Sequence, residues 1–228
     1  RRDSHLHGRD SRYLLASLLK SFGLNFETRL EWSTGYNLLL GGFLVVLFVS
    51  MLVAGFIWNG CSFNGLWRIT RHTGRAVADF VILDGYPVTL MNMGLLGLVS
   101  TWYVLTVGGE LNGPTIGGIF TVCGFAAFGK HIRNITPVVL GVVLSSFMMT
   151  WSLEEPAVLL AALFATGLAP IAGQFGWGWG IVAGVIHASV VLNVGFLHAG
   201  LNLYNNGFSA GLVCMVILPL IEAMRRER

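Results

Sequence analysis

Tyr36–Trp58 reads YNLLLGGFLVVLFVSMLVAGFIW. No Asp, Glu, Lys or Arg interrupts it, and it is long enough to cross a hydrocarbon core as one helix. Trp32 and Trp58 bracket it at the depth where aromatic anchors sit. Outward from this run the pattern repeats: Tyr86–Val107, Ile135–Trp151, Pro156–Gln174, Trp177–His198 and Asn206–Ala223 are further apolar stretches. Across 228 residues, 54% are hydrophobic and 11% charged, against about 25% charged in an average soluble domain. Mean hydropathy is +0.71 and 30 residues are glycine, a profile of polytopic helical membrane proteins. The alternating ten-residue segments of a membrane β-barrel do not occur. The expectation is an all-α, multi-pass cell-membrane protein of about six spanning helices.

Three regions fall outside the spans. Residues 1–34 form a basic tail with Arg1, Arg2, Arg9, Arg12, Lys20 and Arg29. Within it, Tyr13–Leu24 has the apolar spacing of an interfacial helix. Residues 35–223 are the transmembrane domain, and 224–228 a basic C-terminal tail. Cys61–Gly85 alternates Arg68, Arg71, Arg75, Asp79 and Asp84 with apolar residues, which predicts an amphipathic helix lying at the interface or packed on protein. Such basic ends mark a cytoplasmic face against anionic lipid, not nucleic-acid contacts. The chain begins with Arg1 and its first thirty residues lack a signal-peptide pattern; it reads as a fragment or processed product. Cys61, Cys123 and Cys214 have no metal-ligand spacing, so neither a metal nor another cofactor is expected.

Pro114–Gly129 is apolar but 16 residues long, roughly 24 Å as a helix against a core of about 30 Å. A re-entrant half-helix here places residues 1–34, the knot KHIRN (Lys130–Asn134) and the final RRER on one face. That face then holds 11 of the 14 Lys and Arg residues, with the acidic turn SLEEP (Ser152–Pro156) outside, which suits the positive-inside rule. Arg68, Arg71 and Arg75 then fall outside.

One octet recurs. Asn112–Ile119 reads NGPTIGGI and Asn206–Val213 reads NGFSAGLV. Asn-Gly breaks the chain, Pro114 suits a first helical turn, and Thr or Ser is a plausible N-cap. Each octet thus reads as a helix start inside the membrane, where freed backbone groups must face protein or a wet cavity. With three spans between them, the two starts approach from opposite faces, as an inverted repeat does.

LNGPTIGGI and LYNNGFSAGLV resemble the half-helix motif of the urea transporter family, most closely at Tyr204, Asn205, Asn206, Ser209 and Gly211, while Leu111 departs from it. The resemblance implies a pore between two half-helix pairs. The whole chain also resembles an uncharacterised family of bacterial multi-span membrane proteins, which implies a bacterial plasma membrane and points to no particular function.

Polar residues crowd the second octet. His187 and His198 lie on one helical face, about 16 Å apart along the axis, too far to share a metal. Asn202 extends that face if the helix continues; Asn193 points away and reads as a packing residue. The solute path is assigned to Asn112, Thr115, His187, His198, Asn202, Asn205, Asn206 and Ser209, because ionisable and amide groups inside spans are costly unless used. The bland alternative is interhelical hydrogen bonding worth around 1 kcal/mol each. Glu110 reads as an interfacial loop carboxylate, Lys130, His131 and Arg133 as topology-setting charges, and the Trp residues of FGWGWG as interface anchors. The chain shows no HExxH, no GxSxG and no carboxylate pair within a span, so no enzyme is expected. The resulting expectation is a channel or transporter for a small polar, neutral solute. Its partners are membrane lipid, the solute, and a second copy or an N-terminal half outside this chain. The alternatives are a non-catalytic subunit of a larger membrane complex and, after it, a membrane-embedded enzyme.

Overall fold

A computed structural model describes residues 35–75, 78–149, 151–194 and 202–226, with the backbone alone at 202–204. All regular structure among the described residues is helical. Helix α1 (Asn37–Trp58) is followed by two short helices, α2 (Leu66–Ile69) and α3 (Phe80–Asp84), then by α4 (Tyr86–Thr106) and the shorter α5 (Gly113–Phe125). Next come α6 (Ile132–Met149), α7 (Pro156–Ala165), a 3-10 turn (Thr166–Leu168), α8 (Ala169–Phe175), α9 (Trp177–Val194) and α10 (Asn202–Arg226). Among the described residues six helices are long and apolar enough to cross a membrane: α1, α4, α6, the broken unit α7–α8, α9 and α10. The protein is a multi-pass helical bundle, as its composition requires.

Close glycine packing fixes the helix directions. Gly55 of α1 lies against Pro87 and Met91, Gly94 of α4 against the Phe48 carbonyl, and Gly41 against Leu105, so α1 and α4 are antiparallel. Gly109 meets Leu159, and Gly118 meets Leu160 and Leu163, so α5 and α7 run the same way. Pro137 meets Gly180 and Gly141 meets Gly184, so α6 and α9 are parallel too. Gly176, at φ +96°, turns α8 back into α9. Small residues on facing helices let membrane backbones approach this closely.

These directions define two ends. The starts of α1, α5 and α7 share one end with Glu110, Glu154 and Glu155. There Asn37 donates to the Gly109 carbonyl (3.2 Å) and accepts from Leu111 N–H (2.8 Å), and Gly35 N–H donates to Glu110 Oε1 (3.4 Å). The opposite end carries Arg68, Arg71, Arg75, Lys130, Arg133, Arg225 and Arg226, all seven described Lys and Arg residues. Arg225 sits 4.8 Å from the Phe175 ring at the end of α8.

Three expectations are corrected. Helix α5 leaves the acidic end and travels toward the basic end, and α6 returns from there; the chain does not double back at Pro114–Gly129. Sixteen residues suffice because α5 stops short. Asn92 of α4 donates to the Ala126 and Lys130 carbonyls (2.7 and 2.8 Å), about 9 Å inside the first residue of α4, and protein covers that turn. Second, α5 and α10 both run from the acidic to the basic end, so the octet helices are parallel, not inverted. The described chain enters at the acidic end and leaves at the basic end; the expectation that residues 1–34 share a face with KHIRN and RRER falls on residues outside the described ones. Third, Cys61–Gly85 is not one amphipathic helix. Gly65 and Gly74 take positive φ and split it, and Asp79 caps α3 by accepting from Val81 and Ile82 N–H (2.9 and 3.3 Å). Its charges tie a polar layer across the basic end: Asp84 accepts from Arg68 Nε (2.6 Å) and His72 Nε2 (2.8 Å).

This sorting brings Arg68, Arg71 and Arg75 to the same side as KHIRN, and for the described residues alone the positive-inside rule predicts that this side faces the cytoplasm. With Cys61, the exposed native thiol, replaced by Ala, Arg71→Cys reacts with an impermeant thiol reagent only from the cytoplasm and Glu154→Cys only from outside. The reverse pattern overturns the orientation.

Candidate functional site

The short helix α5 delivers Lys130 into the bundle. Asn92, itself buried, holds the turn 126–130 by two carbonyls. Gly129, at φ +94°, redirects the chain. Asn134 locks the exit by donating to the Gly129 carbonyl (2.8 Å) and accepting from His131 N–H (2.9 Å). His131 Nε2 donates to the His72 carbonyl (2.8 Å), which ties the 70–75 loop over the turn. Lys130 is left 8% exposed. Its Nζ donates to Thr166 Oγ1 (2.8 Å) and lies 4.9 Å from the centre of the Phe125 ring. Among the described residues no carboxylate lies within ion-pair distance of it. Lys130 is outside the spanning helices, and burial pushes its ammonium down to about 8 from 10.5. Burial likewise lowers His131.

Thr166 opens the break between α7 and α8, and the cause is local. Pro170 has no N–H to give to the Thr166 carbonyl four residues back. Ala169 N–H takes that carbonyl instead, tightening the chain into a 3-10 turn. Thr166 lies ten residues into the α7–α8 unit, about 15 Å along it, near mid-depth. Lys130, Thr166 and Gly167 border a cavity of about 170 Å³ with Phe125, Phe128 and Pro170. The turn also packs against α9 and α10.

On those two helices lies a second polar group. His187, fully buried in α9, is about 15 Å along the helix from Trp177. Its Nε2 donates to Asn206 Oδ1 (3.1 Å), so Nδ1 is an acceptor. Asn205 donates to the Val191 carbonyl (2.8 Å). His187 Nδ1, Asn205 Oδ1 and Ser209 Oγ are buried without a partner among the described residues. Buried polar atoms seldom stay unpaired in a packed core.

The structure therefore joins His187 to Asn206 and sets Asn205 and Ser209 one turn apart on α10. Asn112 and Thr115 lie elsewhere, at the acidic end. Asn112 is the N-cap of α5, accepting from Thr115 N–H (3.1 Å), and Thr115 Oγ1 accepts from Asn112 N–H (2.9 Å) and donates to the Glu110 carbonyl (2.7 Å). This is a reciprocal capping box level with the start of α1, so the two octets do not meet at the midplane, and Asn112, not Thr115, is the cap. The second octet starts no helix: α10 begins at Asn202, and packing on α9 overrides the poor helix propensity of Asn-Gly. Asn193 is exposed and donates to Ser189 of its own helix (2.7 Å), not across helices. His198 and the side chains of Asn202 and Tyr204 lie outside the described residues.

Lys130 and Thr166 are absent from the sequence-derived path. The signal for Lys130 was the shortness of Pro114–Gly129, since a lysine ending a segment too short to reach the interface is drawn below it. Thr166 is marked by the Thr-Gly pair followed by Pro170. Among the described residues no three His, Cys, Asp or Glu side chains gather as a metal set. No curated protein and no solved structure matches the chain, and the urea transporter family is not matched either. Residues 58–223 match the family described as protein of unknown function (DUF1576); that range runs from the last residue of α1 into the last turns of α10 and holds Lys130, Thr166, His187 and Asn206, and the chain belongs to this family.

Proposed function

We propose that the protein is a channel or transporter that passes a small polar solute across a bacterial plasma membrane. The observation that carries this reading is a buried lysine, without a carboxylate partner among the described residues, set against a helix broken near mid-depth. Irregular backbone at that depth is tolerated where it is enclosed by protein or lines a cavity, and broken helices mark solute sites in transporters. Charged groups among spanning helices are costly and mark functional sites by default. His187, Asn205, Asn206 and Ser209 supply further polar atoms on the two helices that pack against the same break. Passage of this kind needs no covalent chemistry and no cofactor, and we read the protein as non-enzymatic. Its surroundings are lipid and a second copy or an N-terminal half; nucleic acid is not a partner.

The test compares two asparagines in proteoliposomes. Asn206→Leu removes the partner of buried His187 and lowers solute flux at least about tenfold, because a buried group left unpaired costs roughly 1–3 kcal/mol. Asn193→Leu loses one exposed bond within its own helix and leaves flux near wild type. Normal flux in Asn206→Leu, with flux lost in Asn193→Leu at unchanged melting temperature, puts the path on the wrong side of α9. No flux of any solute through the wild-type protein overturns the reading itself.

A further inference from the structure

We infer that the cavity beside Lys130 is an anion site that takes a small monocarboxylate. As the class of solute passed, this rests on the transport reading; as a binding site, it does not.

Charge comes first. An ammonium has three N–H donors. Thr166 Oγ1 accepts one, and that hydroxyl gives its own hydrogen to the Leu163 carbonyl (2.6 Å), so it cannot also serve a guest as donor. Two donors of Lys130 remain on the border of the cavity. The described acids of the basic end do not line this cavity: Asp79 caps α3, Asp84 holds Arg68 and His72, and Glu222 lines, with Arg75, the neighbouring cavity across Gly167 and Pro170. One uncompensated positive charge in a low-dielectric setting calls for one negative charge, and charge-assisted hydrogen bonds are the strong ones. A divalent anion would bring a second charge that nothing lining this cavity answers.

Shape narrows the class. A space of about 170 Å³ has room for several waters or one small organic anion. Its remaining walls are Phe125, Phe128 and Pro170 beside backbone at Gly129 and Gly167. A carboxylate can meet Nζ while a short alkyl end meets the rings. A hydrated inorganic ion has no use for those rings. Glycine lets the two loops that frame the cavity meet backbone to backbone, since a Cβ at Gly74 would fall on the Gly129 carbonyl oxygen.

The probes are acetate and its neutral isostere acetamide, on purified protein at pH 7, by calorimetric titration and thermal shift. Acetate binds saturably and raises the melting temperature; acetamide at the same concentration does neither. Lys130→Gln weakens acetate binding at least about tenfold. Equal binding of acetate and acetamide to the wild-type protein overturns the site whether or not Lys130→Gln folds, as does undiminished acetate binding by Lys130→Gln. Flux is followed in parallel. Acetate binding with no flux of any solute overturns the transport reading and supports the site; acetamide flux without acetate binding supports transport and overturns the site.

Discussion

Replacing Lys130 by Met makes the protein more stable and stops it working. At pH 7 the folded protein holds an ammonium, 8% exposed, with a hydroxyl and a ring for company. Folding lowers that group from 10.5 to about 8. Below pH 8 the lysine is charged in both folded and unfolded chains, and its burial costs about 3 kcal/mol. Between pH 8 and 10.5 the unfolded chain binds more protons, so wild-type stability rises with pH and the penalty disappears. Methionine has similar length, packs on Phe125 through sulfur, and strands nothing, since Thr166 keeps its bond to the Leu163 carbonyl. The expected gain is about 2 kcal/mol at pH 7, falling toward zero near pH 10, together with at least a tenfold loss of flux. Melting curves at both pH values and a flux assay check it. A variant less stable than wild type at pH 7 makes Lys130 a structural cross-link and removes the reason for assigning it a solute.

Gly184→Val breaks the bundle at its tightest crossing. A Cβ at Gly184 would fall on the Val138 carbonyl oxygen, and one at Gly141 on the Ile181 carbonyl oxygen. Helices α6 and α9 thus touch backbone to backbone, with Gly180 repeating the contact one turn earlier against Pro137. Neither carbonyl can retreat without loss of its own helical bond, so the helices must separate. The expected cost is about 3 kcal/mol, at the upper end for overpacking. Flux falls as well, because His187 is three residues further along the displaced helix. Gly178→Val is the control: nothing lies within 4 Å of its Cβ position, and stability stays near wild type. Equal destabilisation by the two, read by thermal unfolding in detergent, contradicts the close crossing.

The spans were legible in the sequence because unbroken apolar runs are the strongest signal a membrane protein offers. Tyr36–Trp58 and Tyr86–Val107 agree with α1 and α4 to within a residue at each end. The cap of α5 was legible in part: Asn-Gly-Pro-Thr announced a helix start, and only the assignment of the cap to Thr115 was wrong. The direction of α5 was not legible. Length alone made a full crossing look too long for 16 residues, and nothing in the local sequence says that Asn92 of α4, 34 and 38 residues before the carbonyls it binds, receives the turn below the surface. The same long-range contact hides Lys130, which locally reads as a loop charge. The second octet misled for the opposite reason. Asn-Gly is a turn signal in isolation, but Asn205 and Asn206 are tied to Val191 and His187 of the neighbouring helix, and those bonds keep the segment helical.

The most direct test of a polar path needs no knowledge of the solute. In protein with Cys61, Cys123 and Cys214 replaced by Ala, single cysteines are placed at Thr166, Ser209 and Leu160 and exposed to a small, charged, water-soluble methanethiosulfonate. All three native side chains are buried, so exposure in the folded state does not separate them. A path past the break predicts that Thr166→Cys and Ser209→Cys are modified while Leu160→Cys, facing Gly118 in the apolar packing of α5 on α7, stays unmodified. If Thr166→Cys and Ser209→Cys prove as inert as Leu160→Cys, the centre of the bundle is dry and the protein is not a passage for polar solutes.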